Sequence, residues 1–380
     1  MANQGRLVVL AAGGTGGHMF PAQALATELS ERGCRLALFT DRRGGAWQTQ
    51  SSDIETHHIR ASGLAGKSFA ARLQSGPELA IGTWQARGLL KRLRPNAVIG
   101  FGGYASVPTI LAASFGGYHT AIHEQNAVLG RANRLLASRV KKIATSFEKS
   151  EGLPEEFLSK VTHTGMPVRP SVAAIRQHPY PSLKSEDPVS ILVIGGSQGA
   201  HVFSEIVPDA LALLEDGLKS RLQISQQCRP EDLEQVRGIY QSLGIKAELK
   251  TFFDDMPERL GAAHLVIARS GASTVAETLV AGRPSILVPY PHAIDDHQSR
   301  NAHAVDEAGG GWLMPEDSFT PANLAARLDS LFGLPAILEK AASSAKAAGA
   351  EDAAERLADM VCTLLPSNGT GGPDAVVRAA

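Results

Sequence analysis

At 380 residues, with 43% hydrophobic and 20% charged positions, the chain has the composition of a folded globular protein. It exceeds what one compact α/β core holds, so two domains of roughly 150–200 residues each are expected. A formal net charge of -1 excludes a global attraction to nucleic acid, and Cys34, Cys228 and Cys362, far apart and without a CxxC pair, suggest neither a disulfide framework nor a zinc site.

The first apolar run, Leu7 to Ala12, is too short for the core of a signal peptide, so secretion is not expected. Strands are predicted near 6–12, 35–40, 54–60, 97–101, 119–124, 141–146 and 161–165, with helices between most of them. That alternation is the pattern of a parallel sheet covered on both faces. The first strand runs into Gly13-Gly-Thr15-Gly16-Gly17-His18, a glycine turn at a helix start, with Pro21 following. Glycines admit φ > 0 and close approach of a ligand, and the helix aims unpaired N–H groups at whatever sits in the turn, so phosphates are the natural occupants. Gly14-x-Gly16, with Asp41 closing the second strand, matches part of a dinucleotide fingerprint, but Met19 stands where its third glycine would be. The alternative is a turn whose Thr15, Gly16, Gly17 and His18 face a cleft between domains and serve a diphosphate and a proton transfer. An imidazole titrates near working pH, which makes His18 either a candidate base or a structural histidine.

Between Arg60 and Arg94, Arg60, Lys67, Arg72, Arg87, Lys91, Arg92 and Arg94 face the single acid Glu78, interleaved with Phe69, Leu73, Leu79, Ile81, Trp84, Leu89 and Leu90. Such a helical segment either docks on an anionic bilayer surface or packs its apolar face inward. Ala97 to Tyr118 carries no charge and is long enough to span a bilayer, but its glycines and Pro108 divide it into strand, turn and helix. His123-Glu124-Gln125-Asn126 ends a strand, where ligands bind in open α/β sheets, so these groups either reach the cleft or anchor their loop.

Met166 to Pro188, with prolines at 167, 170, 179, 181 and 188, reads as an exposed connector. A second alternation starts at Val189 and continues with strands near 221–226, 246–252, 264–269, 285–289 and 311–314. Its first strand ends in another glycine turn, Gly195 to Ala200. Asp254 and Asp255 read as helix caps. Arg269 to Glu277 again runs from strand to helix start, offering hydroxyls and free amides to a phosphate, with Glu277 placed to accept both hydroxyls of a ribose; helix capping is the blander reading of Ser273 and Glu277. Pro289 to Asn301 gathers amide, acid and imidazole groups suited to sugar hydroxyls, while the neighbours Asp295, Asp296 and His297 diverge on a helical turn and suggest no metal site. After Thr320 the chain reads as alanine-rich helix to about Leu365, and 366–380 as a disordered tail.

Five motifs in order, GGTGGH at 13–18, HEQNAVLGRANR at 123–134, GGSQGA at 195–200, RSGASTVAE at 269–277 and DDHQSRNA at 295–302, closely resemble the MurG family, the UDP-N-acetylglucosamine:lipid I N-acetylglucosaminyltransferases of bacterial peptidoglycan synthesis. The resemblance implies an α/β protein of the GT-B fold, with two Rossmann-like, doubly wound domains facing across a cleft. Residues 1–165 would face acceptor and membrane, 166–344 would bind UDP-N-acetylglucosamine, and a last helix at about 345–365 would cross back onto the first domain. The implied reaction is inverting and metal-independent, needs no cofactor, and moves N-acetylglucosamine to the muramoyl O4 of undecaprenyl-pyrophosphoryl-MurNAc-pentapeptide (lipid I), giving lipid II.

By the same resemblance Ser197 lies near the phosphates, Phe253 presents backbone to uracil, and Ala272, Ser273, Thr274, Val275, Ala276 and Glu277 wrap the nucleotide, with Glu277 on the ribose. Gln298 points to the sugar and Arg169 reaches the nucleotide. Thr15, Gly16, Gly17 and Asn126 meet donor sugar or acceptor, and His18 deprotonates the attacking hydroxyl. The resemblance also favours docking of Phe69, Arg72, Leu73, Leu79, Trp84, Arg87 and Lys91 on the cytoplasmic leaflet of the inner membrane, with other cell-wall and division proteins as partners and no nucleic acid. One departure is Gly165-Met-Pro-Val-Arg169 at the junction, where family members generally have Asn in place of Met166. Two further readings stand beside this one: a UDP-N-acetylglucosamine 2-epimerase, which would convert UDP-sugar without an acceptor, and a non-catalytic nucleotide-sugar-binding subunit, which would not need His18.

Overall fold

The computed structural model describes residues 5–13, 16–41, 54–61, 69–184, 186–196 and 199–366, with the side chains of 69–76 and 105 outside that description. Thr15, Ser197 and the tail from 367 onward therefore lie outside the described residues, as do the side chains of Phe69, Arg72 and Leu73. The first sheet is built from β1 (Leu7–Ala11), β2 (Arg35–Thr40), β3 (Glu55–His58), β4 (Ala97–Gly100), β5 (His119–Glu124), β6 (Lys142–Thr145) and β7 (Val161–His163). All are parallel, in the order β3-β2-β1-β4-β5-β6-β7. The second holds β8 (Val189–Ile194), β9 (Leu222–Gln227), β10 (Lys246–Lys250), β11 (Leu265–Ala268), β12 (Ser285–Leu287) and β13 (Gly311–Leu313), again parallel, in the order β10-β9-β8-β11-β12-β13.

The strands fall where the alternation predicts them because a strand covered on both faces must be apolar throughout. Central β1, Leu-Val-Val-Leu-Ala, is buried at every position, whereas the edge strands β3 and β10 carry Glu-Thr-His-His and Lys-Ala-Glu-Leu-Lys. Strand order reverses between β1 and β4 and between β8 and β11, and ligands of such sheets bind beyond the strand ends at those switch points. The Gly13 turn follows β1, the Gly195 turn follows β8, and Arg269-Ser270 follows β11. The uncharged stretch from Ala97 resolves into β4 and the helix Gly103–Phe115, and no helix among the described residues is long and apolar enough to cross a membrane.

The connector departs from expectation. It contributes no strand, yet it forms the short helix Pro170–Ala173 and buries Val172, Ile175 and Leu183 against the second unit, so it is not an exposed tether. At the far end, the helices Pro321–Gly333 and Pro335–Ala348 stay with the second unit, while Ala353–Cys362 packs Leu357, Ala358 and Val361 on the first helix, Gly16–Glu31. The chain thus passes between the units twice, and the passages touch: a Cβ on Gly165, whose φ is +76°, would lie 2.4 Å from the Cβ of Ala350.

Candidate functional site

A cavity of about 320 Å³ opens between the units, lined from the first by Gly13, His18, Asp41, Tyr104 and Asn126 among others, and from the second by Ile294, Asp295 and His297. His18 is the third residue of the helix Gly16–Glu31. Its ring lies against the turn Gly102-Gly103, where a Cβ on Gly102 would stand 3.4 Å from His18 Cδ2 and one on Gly103 3.5 Å from Cε1. Both glycines have positive φ (+76° and +67°), so the backbone there forms a slot that a side chain would fill. Burial pushes the His18 imidazole down to about 4; the Asp41 carboxylate opposes that shift and His297 reinforces it. The ring is therefore neutral at pH 7, the form that takes up a proton.

The His123 to Asn126 segment divides between the two readings of it. Glu124 is the anchor: buried, it accepts the Asn126 N–H at 3.0 Å on Oε1, and the Gly130 N–H at 2.9 Å and Asn133 Nδ2 at 2.7 Å on Oε2. Burial raises its pKa and these donors pull it back. His123 turns away from the cleft toward the unit junction, with Nε2 3.3 Å from the Gly165 carbonyl and Nδ1 3.1 Å from Gln125 Nε2. An amide donor on Nδ1 assigns the ring proton to Nε2. Gln125 Nε2 also donates to the Phe101 carbonyl at 2.8 Å, one residue before the slot that holds His18.

In the second unit the helix Ala272–Val280 starts beyond β11. The N–H groups of Ala272, Ser273 and Thr274 precede the helical ladder and are unspent. Val275 does not join them, because its N–H bonds the Gly271 carbonyl at 3.0 Å and its side chain is buried; Ala276, half-buried one turn in, offers only a methyl surface. The capping reading of Ser273 and Glu277 fails: Gly271 is the N-cap and no side chain bonds the helix start. Instead, the buried Oγ atoms of Ser270 and Ser273 have no hydrogen-bond partner among the described residues, and hydroxyls so placed suit phosphate oxygens.

Glu277 is engaged by Arg169 in a two-point pair, Nε to Oε1 at 3.0 Å and Nη2 to Oε2 at 3.1 Å. The guanidinium also sits 5.1 Å from the ring centre of Phe20, so Phe20, Arg169 and Glu277 link the first helix to the helix Ala272–Val280. Phe20 carries no sequence signal for that role. The turn after β8 is tight, since a Cβ on Gly195 would lie 2.2 Å from the Ala200 nitrogen, and Gly196 has φ +84°. Phe253 is buried with Arg259 4.2 Å over its ring, while its neighbour Phe252 is 68% exposed. Asp255 stands at the N-cap of the helix Met256–Ala262 as expected, but its side chain makes no capping bond there and pairs with Arg259 at 2.8 Å. Gln298 Oε1 accepts the Tyr290 N–H at 3.0 Å. Asp295 and Asp296 both hold left-handed backbone (φ 55° and 52°), and Asp295 meets Arg131 of the first unit at 2.8 Å.

On the helix Phe69–Leu93, Trp84 is 77% exposed with Arg87 and Lys91 exposed beside it. Leu79 does not belong to that surface, because it packs onto the core of the first unit. Ile81, one turn before Trp84, is exposed too, as is Phe115 on the adjoining helix, with Arg139 5.0 Å over its ring.

Comparison with known proteins agrees with this geometry. The model of the glycosyltransferase family 28 N-terminal domain matches residues 8–145, and that of the family 28 C-terminal domain matches 190–357. A protein of Paramagnetospirillum magneticum named UDP-N-acetylglucosamine--N-acetylmuramyl-(pentapeptide) pyrophosphoryl-undecaprenol N-acetylglucosamine transferase is 56% identical, covering 97% of this chain and 99% of its own. One of the same name from Rhodospirillum rubrum is 55% identical over 93% of this chain and 91% of its own. The crystal structure of Acinetobacter baumannii MurG superposes with a TM-score of 0.76 at 29% identity, covering 94% of this chain and 99% of that one. A UDP-N-acetylglucosamine 2-epimerase from Neisseria meningitidis, at 15% identity and a TM-score of 0.65, shares the fold. With both domains matched and the paired sheets arranged as in a GT-B enzyme, the chain belongs to glycosyltransferase family 28.

Proposed function

We propose that this protein transfers N-acetylglucosamine from UDP-N-acetylglucosamine to the muramoyl 4-hydroxyl of undecaprenyl-pyrophosphoryl-MurNAc-pentapeptide, with inversion at the sugar C1. The observation that carries the reading is the neutral His18 imidazole, held in its glycine slot beside Asp41 in a cavity between the units, together with a helix start in the second unit where the buried Ser270 and Ser273 hydroxyls have no partner among the described residues. The acceptor oxygen attacks C1 opposite the diphosphate, the bond from C1 to the phosphate oxygen breaks, and its electron pair leaves with UDP. The acceptor proton passes to His18, and the carboxylate of Asp41 offsets the imidazolium that forms. Charge gathering on the diphosphate meets the free amides of Ala272, Ser273 and Thr274, the hydroxyls of Ser270 and Ser273, and the glycine turn at Gly195.

Ribose hydroxyls occupy the Glu277 oxygens that Arg169 now holds, which frees the guanidinium for the phosphates. The Phe253 backbone receives the base, Asn126 and Gln298 address the sugar, and Thr15, Gly16, Gly17 and Ser197 complete the contacts. The surface of Trp84, Ile81, Phe115, Arg87 and Lys91 seats the protein on the cytoplasmic leaflet of the inner membrane, where a polyprenyl acceptor resides. Transfer of labelled sugar to a lipid I analogue in the presence of a chelator tests the reaction. His18→Ala should lower turnover on the order of 100-fold or more with UDP affinity retained. No transfer by the wild type refutes the reading, transfer abolished by the chelator refutes the metal-free step, and full turnover by His18→Ala removes the base.

A further inference from the structure

One buried amide of the second unit is bonded to both walls of the cleft. Asn301, on the helix His297–Glu307, is fully buried. Its Oδ1 accepts the Ala127 N–H at 2.8 Å, and its Nδ2 donates to Asn126 Oδ1 and to the Ser270 carbonyl, each at 3.1 Å. Two partners belong to the loop after β5 and the third to the turn that leads into the helix Ala272–Val280. Both of its N–H donors and one carbonyl lone pair are in use, so the amide has a single orientation. On its other side the Asn126 amide is held by Glu124, with Nδ2 3.3 Å from Oε1. The exposed Arg131 to Asp295 pair also spans the cleft, but water and salt screen it, whereas the Asn301 bonds are dry.

We infer that Asn301 is a positioning residue for sugar transfer. It fixes the Asn126 amide and the separation between the Asn126 loop and the Ser270 turn, and thereby the path along which the acceptor oxygen meets C1 of the donor sugar. The inference rests on the reading of Asn126 as a sugar contact. Reacting atoms misplaced by about an ångström lose on the order of 100-fold in rate, so loosening this amide acts on turnover. UDP, bound within the second unit, keeps its affinity.

The test compares wild type with Asn301→Ala, Asn301→Asp, Asn126→Ala and the Asn126→Ala/Asn301→Ala pair. Asp is isosteric and keeps the acceptor for Ala127 while setting an oxygen against the two carbonyl oxygens. The readouts are kcat and KM with a lipid I analogue, UDP affinity by calorimetry, and melting temperature. Both Asn301 variants should lose on the order of 10- to 100-fold in kcat while UDP affinity stays within about twofold, and the double variant should lose no more than the worse single one. Folded variants with wild-type kcat, losses that multiply in the double variant, or UDP affinity falling in step with kcat would each overturn the inference. If Asn301→Ala does not fold, Asn301→Asp and Asn301→Ser carry the test, and failure of all three to fold assigns Asn301 a scaffolding role instead. Absence of transfer by the wild type refutes the functional reading; transfer with indifferent variants refutes only this inference.

Discussion

His123 ties the acid sensitivity of the fold to a measurable number. The ring is fully buried at the junction of the two units, and burial pushes its pKa from 6.5 down to about 4 against the pull of the Gly165 carbonyl. A depressed value means that the unfolded chain takes up the proton first as pH falls, so stability present above pH 6.5 is lost between pH 6.5 and about 4. At pH 5, roughly 1.5 units below the unfolded value, this single group removes about 2 kcal/mol. His123→Gln keeps an amide donor for the Gly165 carbonyl and cannot ionise. Urea unfolding of wild type and variant at pH 7.5 and 5.0 cancels the titrating groups that do not couple to His123. The wild type should lose about 2 kcal/mol more than the variant between the two pH values, and an equal loss in both proteins would refute the assignment of a buried neutral ring.

His18 shares that depression, so the acid limb of kcat/KM should fall near pH 4 rather than 6.5, and a limb near 6.5 would show that the ring is not enclosed as its slot implies. Gly165→Ala combines left-handed backbone with contact on Ala350 and should cost about 3 kcal/mol by thermal melting; an unchanged melting temperature would show that the two passages do not pack. Arg283, buried with no carboxylate partner among the described residues, donates to the carbonyls of Leu260, Gly261, Ala281 and Gly282 and so joins two helix ends. Arg283→Met should destabilise by about 3 kcal/mol, and a smaller loss than about 1 kcal/mol would mean that these carbonyls find other donors. Trp84→Ser with Arg87→Ser should weaken sedimentation with anionic vesicles on the order of tenfold and leave UDP affinity unchanged, whereas undiminished sedimentation would place the membrane surface elsewhere.

The fold was legible because burial on both faces writes itself locally: β1, β4 and β11 are unbroken apolar runs closed by glycine or serine turns. The connector departs from its sequence pattern because proline density marks irregular backbone, not exposure, and Val172, Ile175 and Leu183 find a core that no local pattern announces. Within the site, the glycine turns and the serine-rich helix start carried their own signal. The capping reading fails by two residues of register, since Gly271 and not Ser273 stands at the N-cap. Contacts between distant positions were not legible: the slot for His18 is made some 84 residues later by Gly102, Arg169 meets Glu277 across 108 residues, and Asn301 meets Asn126 across 175. Such pairs depend on how two sheets face one another, which propensity and periodicity do not encode.

The two touching passages between the units, at Gly165 and Ala350, work as the pin of a door. Rotation about a pin moves each point in proportion to its distance from it, so contacts seated on the pin persist while those at the far edge part first. Arg169 lies in the first passage itself, four residues from Gly165, so a rotation there would displace it and its partner Glu277 least. Arg131 and Asp295, exposed and set in opposite leaves, are free to separate. In a molecule hung this way any opening is widest at the Arg131 and Asp295 edge and narrowest beside Glu277.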